Sequence, residues 1–307
     1  MKRFFTTCVL AAGMACAVSA GAGSGEAALP FLNDAAGARA LGMSGATGAI
    51  TDGAFTLYTN PAGLGWLRVG SAMFAHHMGV AEVATEILGV TYPVREVGTL
   101  GVGVWYRGQP DIDNGIPGED PIAVRDMAVS LGGGRRLADA VSAGAALKVI
   151  NSILGEATAN AFAADLGVQA EVGPQWRFGL GLHQLGTGVT YVEHTASLPA
   201  RLNASAAWRA PLEGPHAALG ALDVHYGLVE SDWGVEVGAE YAYANTGFLR
   251  AGYFTGPESL KSFTAGAGLA LEAAGLVYYL DYAFAPRLWD GFGQSEAEHT
   301  LTIGVSF

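Results

Sequence analysis

Outside a short N-terminal stretch the sequence has no cysteine. The only two, Cys8 and Cys16, follow Lys2 and Arg3 within or just before the end of an uncharged apolar run, Phe4 to Ala17. Val18-Ser19-Ala20 then offers small residues to a signal peptidase. That order predicts a secretory signal peptide over residues 1–20, cleaved after Ala20. A mature chain without cysteine excludes disulfide frameworks, thiolate metal sites and Cys nucleophiles. Charge is also scarce. Only 14% of residues are charged against 50% hydrophobic, about half the charged share of an ordinary soluble domain. Such a chain would expose large apolar patches in water, so something apolar must cover it. Long hydrophobic runs are missing too: beyond the leader no stretch of about 18 apolar residues offers a transmembrane helix. A closed barrel, with every backbone polar group paired between strands, is the remaining way to span a bilayer. The net charge of −12, with no Lys/Arg cluster to neutralise phosphates, excludes nucleic acid as a partner.

What the sequence does have is glycine, 45 residues of it, and alternation. From about Arg68 onward, segments of period two recur between turn signals. In 233–243 one face reads Trp233, Val235, Val237, Ala239, Tyr241, Tyr243 and the other Gly234, Glu236, Gly238, Glu240, Ala242. In 276–284 Leu276, Tyr278, Leu280, Tyr282 and Phe284 oppose Val277, Tyr279, Asp281 and Ala283. Trp176, Trp208, Trp233, Tyr226, Tyr241 and Tyr243 lie near segment ends on the apolar face, where interface girdles belong. About fourteen such segments fit between 68 and 307, which predicts an all-β, antiparallel, up-and-down transmembrane barrel with both termini on one side. Glu96-Val97-Gly98 and Ala244-Asn245-Thr246-Gly247 read as hairpin turns, and 108–121, 187–198 and 286–295 as longer loops on the opposite side. The last segment, His299 to Phe307, alternates strictly and ends on an aromatic. Phe307 is therefore expected to act as the handle for outer-membrane assembly machinery.

The polar residues offer little chemistry. His76-His77 with Glu82 matches no metal-ligand spacing, and neighbours in a strand face opposite ways, so at most one of the two histidines points inward. Asp165, His183, Asp223 and His225 all fall on inward faces, but no Ser sits in a Gly-x-Ser-x-Gly elbow. Gly132-Gly-Gly134 before Arg135-Arg136 lacks the Lys-Ser/Thr of a phosphate loop. No catalytic residue, metal or cofactor is expected. Asp126, Asp165, Asp223, Glu236, Glu240, Asp281, Arg107, Lys148, Arg177 and Arg201 are assigned inward, as salt-bridged or solvated lumen.

Residues 21–67 do not form strands. Asn33-Asp34 is placed to cap a short helix over 35–41, and glycine-rich turns follow up to Asn60-Pro61-Ala62-Gly63. The wording Gly37-Ala-Arg-Ala-Leu-Gly-Met-Ser-Gly-Ala46, followed by Tyr58-Thr-Asn-Pro-Ala-Gly-Leu64, resembles the start of the PorV/PorQ family of outer-membrane proteins, which is similar to the FadL fatty-acid transporters. The resemblance implies a fourteen-stranded barrel whose N-terminal segment plugs the lumen, with Asn60, Pro61, Ala62 and Gly63 as the plug or turn motif. It also implies a non-enzymatic role in protein export of the type IX kind, with exported proteins as partners. The alternative is a FadL-like conduit for hydrophobic small molecules. An unbroken wall and polar lumen would favour the first; an apolar space between plug and wall, with a break in one strand, would favour the second. In both, outer-membrane lipid and the assembly machinery are the remaining partners.

Overall fold

The computed structural model describes residues 27–113, 115, 120–256, 261–287 and 296–307, so the expected leader at 1–20 lies outside the described residues. Fourteen strands close into one barrel: β1 (Ser71–Met78), β2 (Ala84–Val94), β3 (Gly98–Gly108), β4 (Val124–Ala138), β5 (Val141–Leu154), β6 (Ala157–Val172), β7 (Trp176–Gly186), β10 (Arg201–Arg209), β11 (His216–Gly227), β12 (Trp233–Tyr243), β13 (Gly247–Thr255), β14 (Lys261–Ala273), β15 (Leu276–Arg287) and β16 (Glu296–Ser306). A small hairpin, β8 (Val189–Tyr191) and β9 (His194–Ala196), sits in the connection between β7 and β10. Neighbouring strands pair antiparallel in chain order. The ring closes where β1 pairs with β16, from Ser71 opposite Ser306 to Met78 opposite His299. Closure matters because an unpaired backbone group in hydrocarbon costs several kcal/mol.

Side-chain alternation maps directly onto the two faces. On β15, Leu280 and Tyr282 are 48% and 45% exposed, whereas Asp281 and Ala283 are buried at 5% and 0%. Leu131, Leu147, Phe162, Leu180 and Leu249 likewise point outward. The barrel is thus apolar outside and mixed within, the inverse of a soluble sandwich. Aromatics mark both rims: Trp176 faces Trp208 at one end, and Tyr226 faces Trp233 at the other, with ring centroids 6.3 and 4.7 Å apart. The connections at Arg95–Val97, Asp139–Ala140, Gly173–Gln175 and Ala274–Gly275 are short and lie at the end with Gly70 and Phe307. The connections 109–123 and 187–200 are long and lie at the other end. Short turns mark the periplasmic rim of such barrels and long loops the outer one.

Residues 27–70 run through the lumen as 3-10 turns and two very short helices, α1 (Ala38–Gly42) and α2 (Thr56–Thr59). The expected helix over 35–41 starts later than its sequence signal. Gly37, at φ 90°, is its N-cap, and no side chain caps it. The reason is that Asn33 and Asp34 bond to the wall instead: Asn33 Nδ2 donates to the Pro199 carbonyl, and Asp34 lies 3.7 Å from Arg107. The Ala38 N–H is satisfied by Thr302 Oγ1 of β16 at 2.8 Å.

Candidate functional site in the lumen

The lumen has two chemically different halves. Against β12–β16 the filling segment is held by charge. Arg39 of α1 donates from Nε and Nη2 to the two carboxylate oxygens of Glu240 at 2.8 and 2.7 Å, and lies 3.2 Å from Asp52. Glu240 also accepts from Arg250 Nε at 2.6 Å, and Arg250 reaches Asp281 at 2.5 Å. Burial works against the charge on Arg39, but Glu240 and Asp52 more than offset it, so the guanidinium titrates above its ordinary range. Next to this network the Gly48 N–H donates to Asp223 at 2.8 Å, a buried carboxylate that stands directly across the ladder from Glu236.

The Asn60-Pro61-Ala62-Gly63 motif is both a turn and a docking surface. Asn60 Oδ1 caps the following 3-10 turn by accepting from the Ala62 N–H at 3.0 Å. Its Nδ2 donates to the Gly48 carbonyl at 3.1 Å and to Leu180 of β7 at 3.3 Å. Ser142 of β5 donates to the Ala62 carbonyl at 2.6 Å. The motif presses so closely on the wall that side chains are excluded there. A methyl group at Gly134 or Gly144 would fall on the Pro61 carbonyl, and one at Gly167 on Asn60 Oδ1. Gly238 and Gly252 stand in the same relation to Met43. Much of the glycine on the inward faces is explained by backbone-to-backbone contact, since only a residue without Cβ admits such approach. Alternation puts Gly238 on the same face as Glu236 and Glu240. It faces inward, but onto Met43 rather than water.

Against β2–β7 the lumen holds an apolar cluster among several inward charges. Phe31, Phe55 and Tyr58 of the filling segment pack with Ile87, Trp105, Ala128, Ile150, Ala159, Ala161 and Ala163 of the wall, under Val189 and Leu198 of the outer connection. Trp105 meets Tyr58 edge-on with centroids 5.2 Å apart, a favoured geometry. The Tyr58 hydroxyl donates to the Leu88 carbonyl at 2.7 Å, and burial raises its pKa. Beside this region the wall is irregular. Two residues of β7, His183 and Gln184, oppose the single Asp165 of β6, and Gln184 has φ 57°. Both consecutive side chains turn inward, as a bulge permits. Lys148 Nζ bridges Asp165 at 2.7 Å and Gln184 at 2.9 Å, and Gln184 Nε2 ties the wall to the Leu32 carbonyl. Beyond the His183–Arg201 pair the ladder between β7 and β10 stops, and the β8–β9 hairpin folds in behind the seam, near β6.

All ten charged residues assigned inward do face the lumen. The four acid and histidine candidates are not gathered into one centre: Asp165 and His183 lie at the bulge, while His225 stands 3.3 Å from Glu236 on the other side. His76 points outward to Glu86 at 2.7 Å, and His77 bonds Thr300. Gly132–Arg136 is a stretch of β4. Among the described residues no group of three or more His, Asp or Glu is arranged to hold a metal ion. Phe307 pairs with Gly70 through both backbone groups, at 2.8 and 3.0 Å. The β7–β10 ladder ends at the long connection expected over 187–198; the β6–β7 bulge and the β8–β9 hairpin within that connection were not anticipated from the sequence.

No family model and no curated protein matches the chain. Solved structures do. The toluene transporter TbuX of Ralstonia pickettii superposes with a TM-score of 0.66 at 14% identity, over 90% of this chain and 100% of that one. The toluene transporter TodX of Pseudomonas putida gives 0.62 at 13% identity, over 89% and 97%. A Pseudomonas aeruginosa FadL homologue gives 0.56 at 10% identity, over 88% and 97%. The chain has the fold of these FadL-type barrels. With its apolar exterior and fourteen closed strands, it is a bacterial outer-membrane protein. Nothing in these likenesses supports the PorV/PorQ resemblance of the N-terminal motifs beyond the barrel fold.

Proposed function

We propose that this barrel is a non-enzymatic conduit for small apolar molecules across the outer membrane. The observation that carries this reading is the apolar cluster inside the barrel, which lies beside the β6–β7 bulge and under the outer connection. Phe31, Tyr58, Trp105, Ile150 and the Ala159–Ala161–Ala163 face form a lining suited to a hydrocarbon. Above His183 and Arg201, where the β7–β10 ladder ends at the outer rim, such a molecule would enter or leave the cluster beneath the outer connection. The fold shared with two toluene transporters supports the same class of cargo. Passage requires displacement of Val189 and Leu198, since the cluster is packed solid beneath them.

The test is uptake of radiolabelled toluene by cells producing the barrel, compared with cells carrying an empty vector. Faster uptake, reduced by Val189→Arg in a variant that still folds, is the expected result. Uptake equal to the vector control would refute the conduit. The secretion reading rests on the wording of residues 37–46 and 58–64; an exported protein that co-purifies with the detergent-solubilised barrel would favour it instead.

A further inference from the structure

At the periplasmic rim a depression of about 420 Å³ opens between the end of the filling segment, at Gly65 and Leu67, and the ends of β2–β4, lined also by Arg68, Arg95, Arg135 and Arg136. It takes no part in the lumen chemistry described above. One carboxylate lines it, Glu96, which lies 3.8 Å from Arg95 Nε with both side chains almost fully in solvent. Such a pair is worth little. Arg68 and Arg135 form no ion pair with any described residue. Arg136 is held in place: its guanidinium lies 4.8 Å from the centre of the Trp66 indole, and Arg177 lies 4.9 Å from the same ring. Arg136 Nη2 also donates to the Asp139 carbonyl. The backbone leaves room for the cluster because Gly98, at φ 124°, meets Gly134 without a side chain.

The surroundings say what kind of anion fits. Arg135 is on the outward face of β4, following Leu131 in the lipid-facing series. Tyr92, Val94, Val97, Leu100 and Leu137 are exposed apolar residues around the same rim. A headgroup phosphate in the arginine pocket would leave its acyl chains along this apolar surface. A soluble anion has no use for the second feature. Arginine is suited to the first because its planar fork matches phosphate oxygens in pairs.

We propose that this pocket is a binding site for the phosphate of an anionic phospholipid in the periplasmic leaflet. It clamps the barrel at that rim next to the point where the filling segment leaves the lumen to join β1. The site needs only that the barrel is embedded in a membrane, so it stands or falls independently of the cargo.

Native mass spectrometry of the full barrel in detergent, with dimyristoyl-phosphatidylglycerol or dimyristoyl-phosphatidylcholine added, tests it. Wild type should retain the anionic lipid in preference to the zwitterionic one. R68Q/R95Q/R135Q should weaken that retention by about fivefold per arginine, on the order of a hundredfold in all. R125Q, at the opposite rim, should leave it unchanged. Fold is verified by the shift in gel mobility on boiling, and should the triple variant fail that check, R135Q alone is scored. Inorganic phosphate in millimolar excess should not displace the lipid. Equal retention of the two lipids, equal loss in R125Q, or displacement by inorganic phosphate would each overturn the proposal.

Discussion

Removing the Glu240 carboxylate should loosen the filling segment without opening the barrel. Glu240 serves two guanidiniums, Arg39 at 2.7–2.8 Å and Arg250 at 2.6 Å, whose side chains are only 19% and 3% exposed. Breaking a buried ion pair from one side costs about 3–5 kcal/mol, because the remaining charge is stranded. Here each arginine keeps a second carboxylate, Asp52 at 3.2 Å and Asp281 at 2.5 Å. Glu240→Ala should therefore fall at the low end, about 3 kcal/mol. Arg39→Met should cost less, about 2 kcal/mol, since Glu240 retains Arg250 and the lost contacts are charged hydrogen bonds. The double variant should cost less than the sum by about 1 kcal/mol or more, the sign of direct coupling. Hydrogen exchange of residues 37–52 in detergent, read as local opening free energies, measures all three, with the strand amides as an internal control. Strict additivity, or exchange at 37–52 unchanged by Glu240→Ala, would refute the docking argument.

Leu280→Arg, on the outward face midway along β15, should destabilise the folded barrel by about 2–4 kcal/mol in lipid unfolding titrations. Arg at Gly238 should not be harmless: it collides with Met43, so residues 38–46 should exchange faster while the barrel still shows its heat-modifiable gel shift. Gly144→Val should displace Pro61 and raise protease sensitivity near residues 56–66, with no change in membrane insertion. Deleting 27–67 should leave the strand ring paired but raise ion conductance in planar bilayers, because this segment and not the wall fills the pore.

The barrel was legible because its signal repeats. Fourteen alternating segments, each with large apolar residues on one face, leave little freedom in strand number or in which side faces lipid, and pairs such as Leu280 and Asp281 follow from period two alone. The inward charges were legible for the same reason. What period two does not carry is who meets whom inside. The sequence puts Arg39 and Glu240 some two hundred positions apart, and nothing local announces that one closes on the other. Local capping logic misplaced α1 because Asn33 and Asp34 are drawn to Pro199 and Arg107, partners distant in the chain. The glycines of the inner face read as a generic excess; their reason, the close approach of Pro61, Asn60 and Met43, exists only once the segment is docked. The β6–β7 bulge at His183 and Gln184 breaks period two within a single strand, where alternation cannot announce it.

The central claim is that the filled lumen holds back ions yet passes apolar cargo by way of its apolar cluster. Proteoliposomes holding the purified barrel allow both fluxes to be followed in one preparation, with labelled toluene trapped by an internal acceptor and a potassium-sensitive dye. The account expects accelerated toluene entry with potassium leakage no greater than in protein-free vesicles. Steady potassium leakage, or toluene entry no faster than through lipid alone, would contradict it.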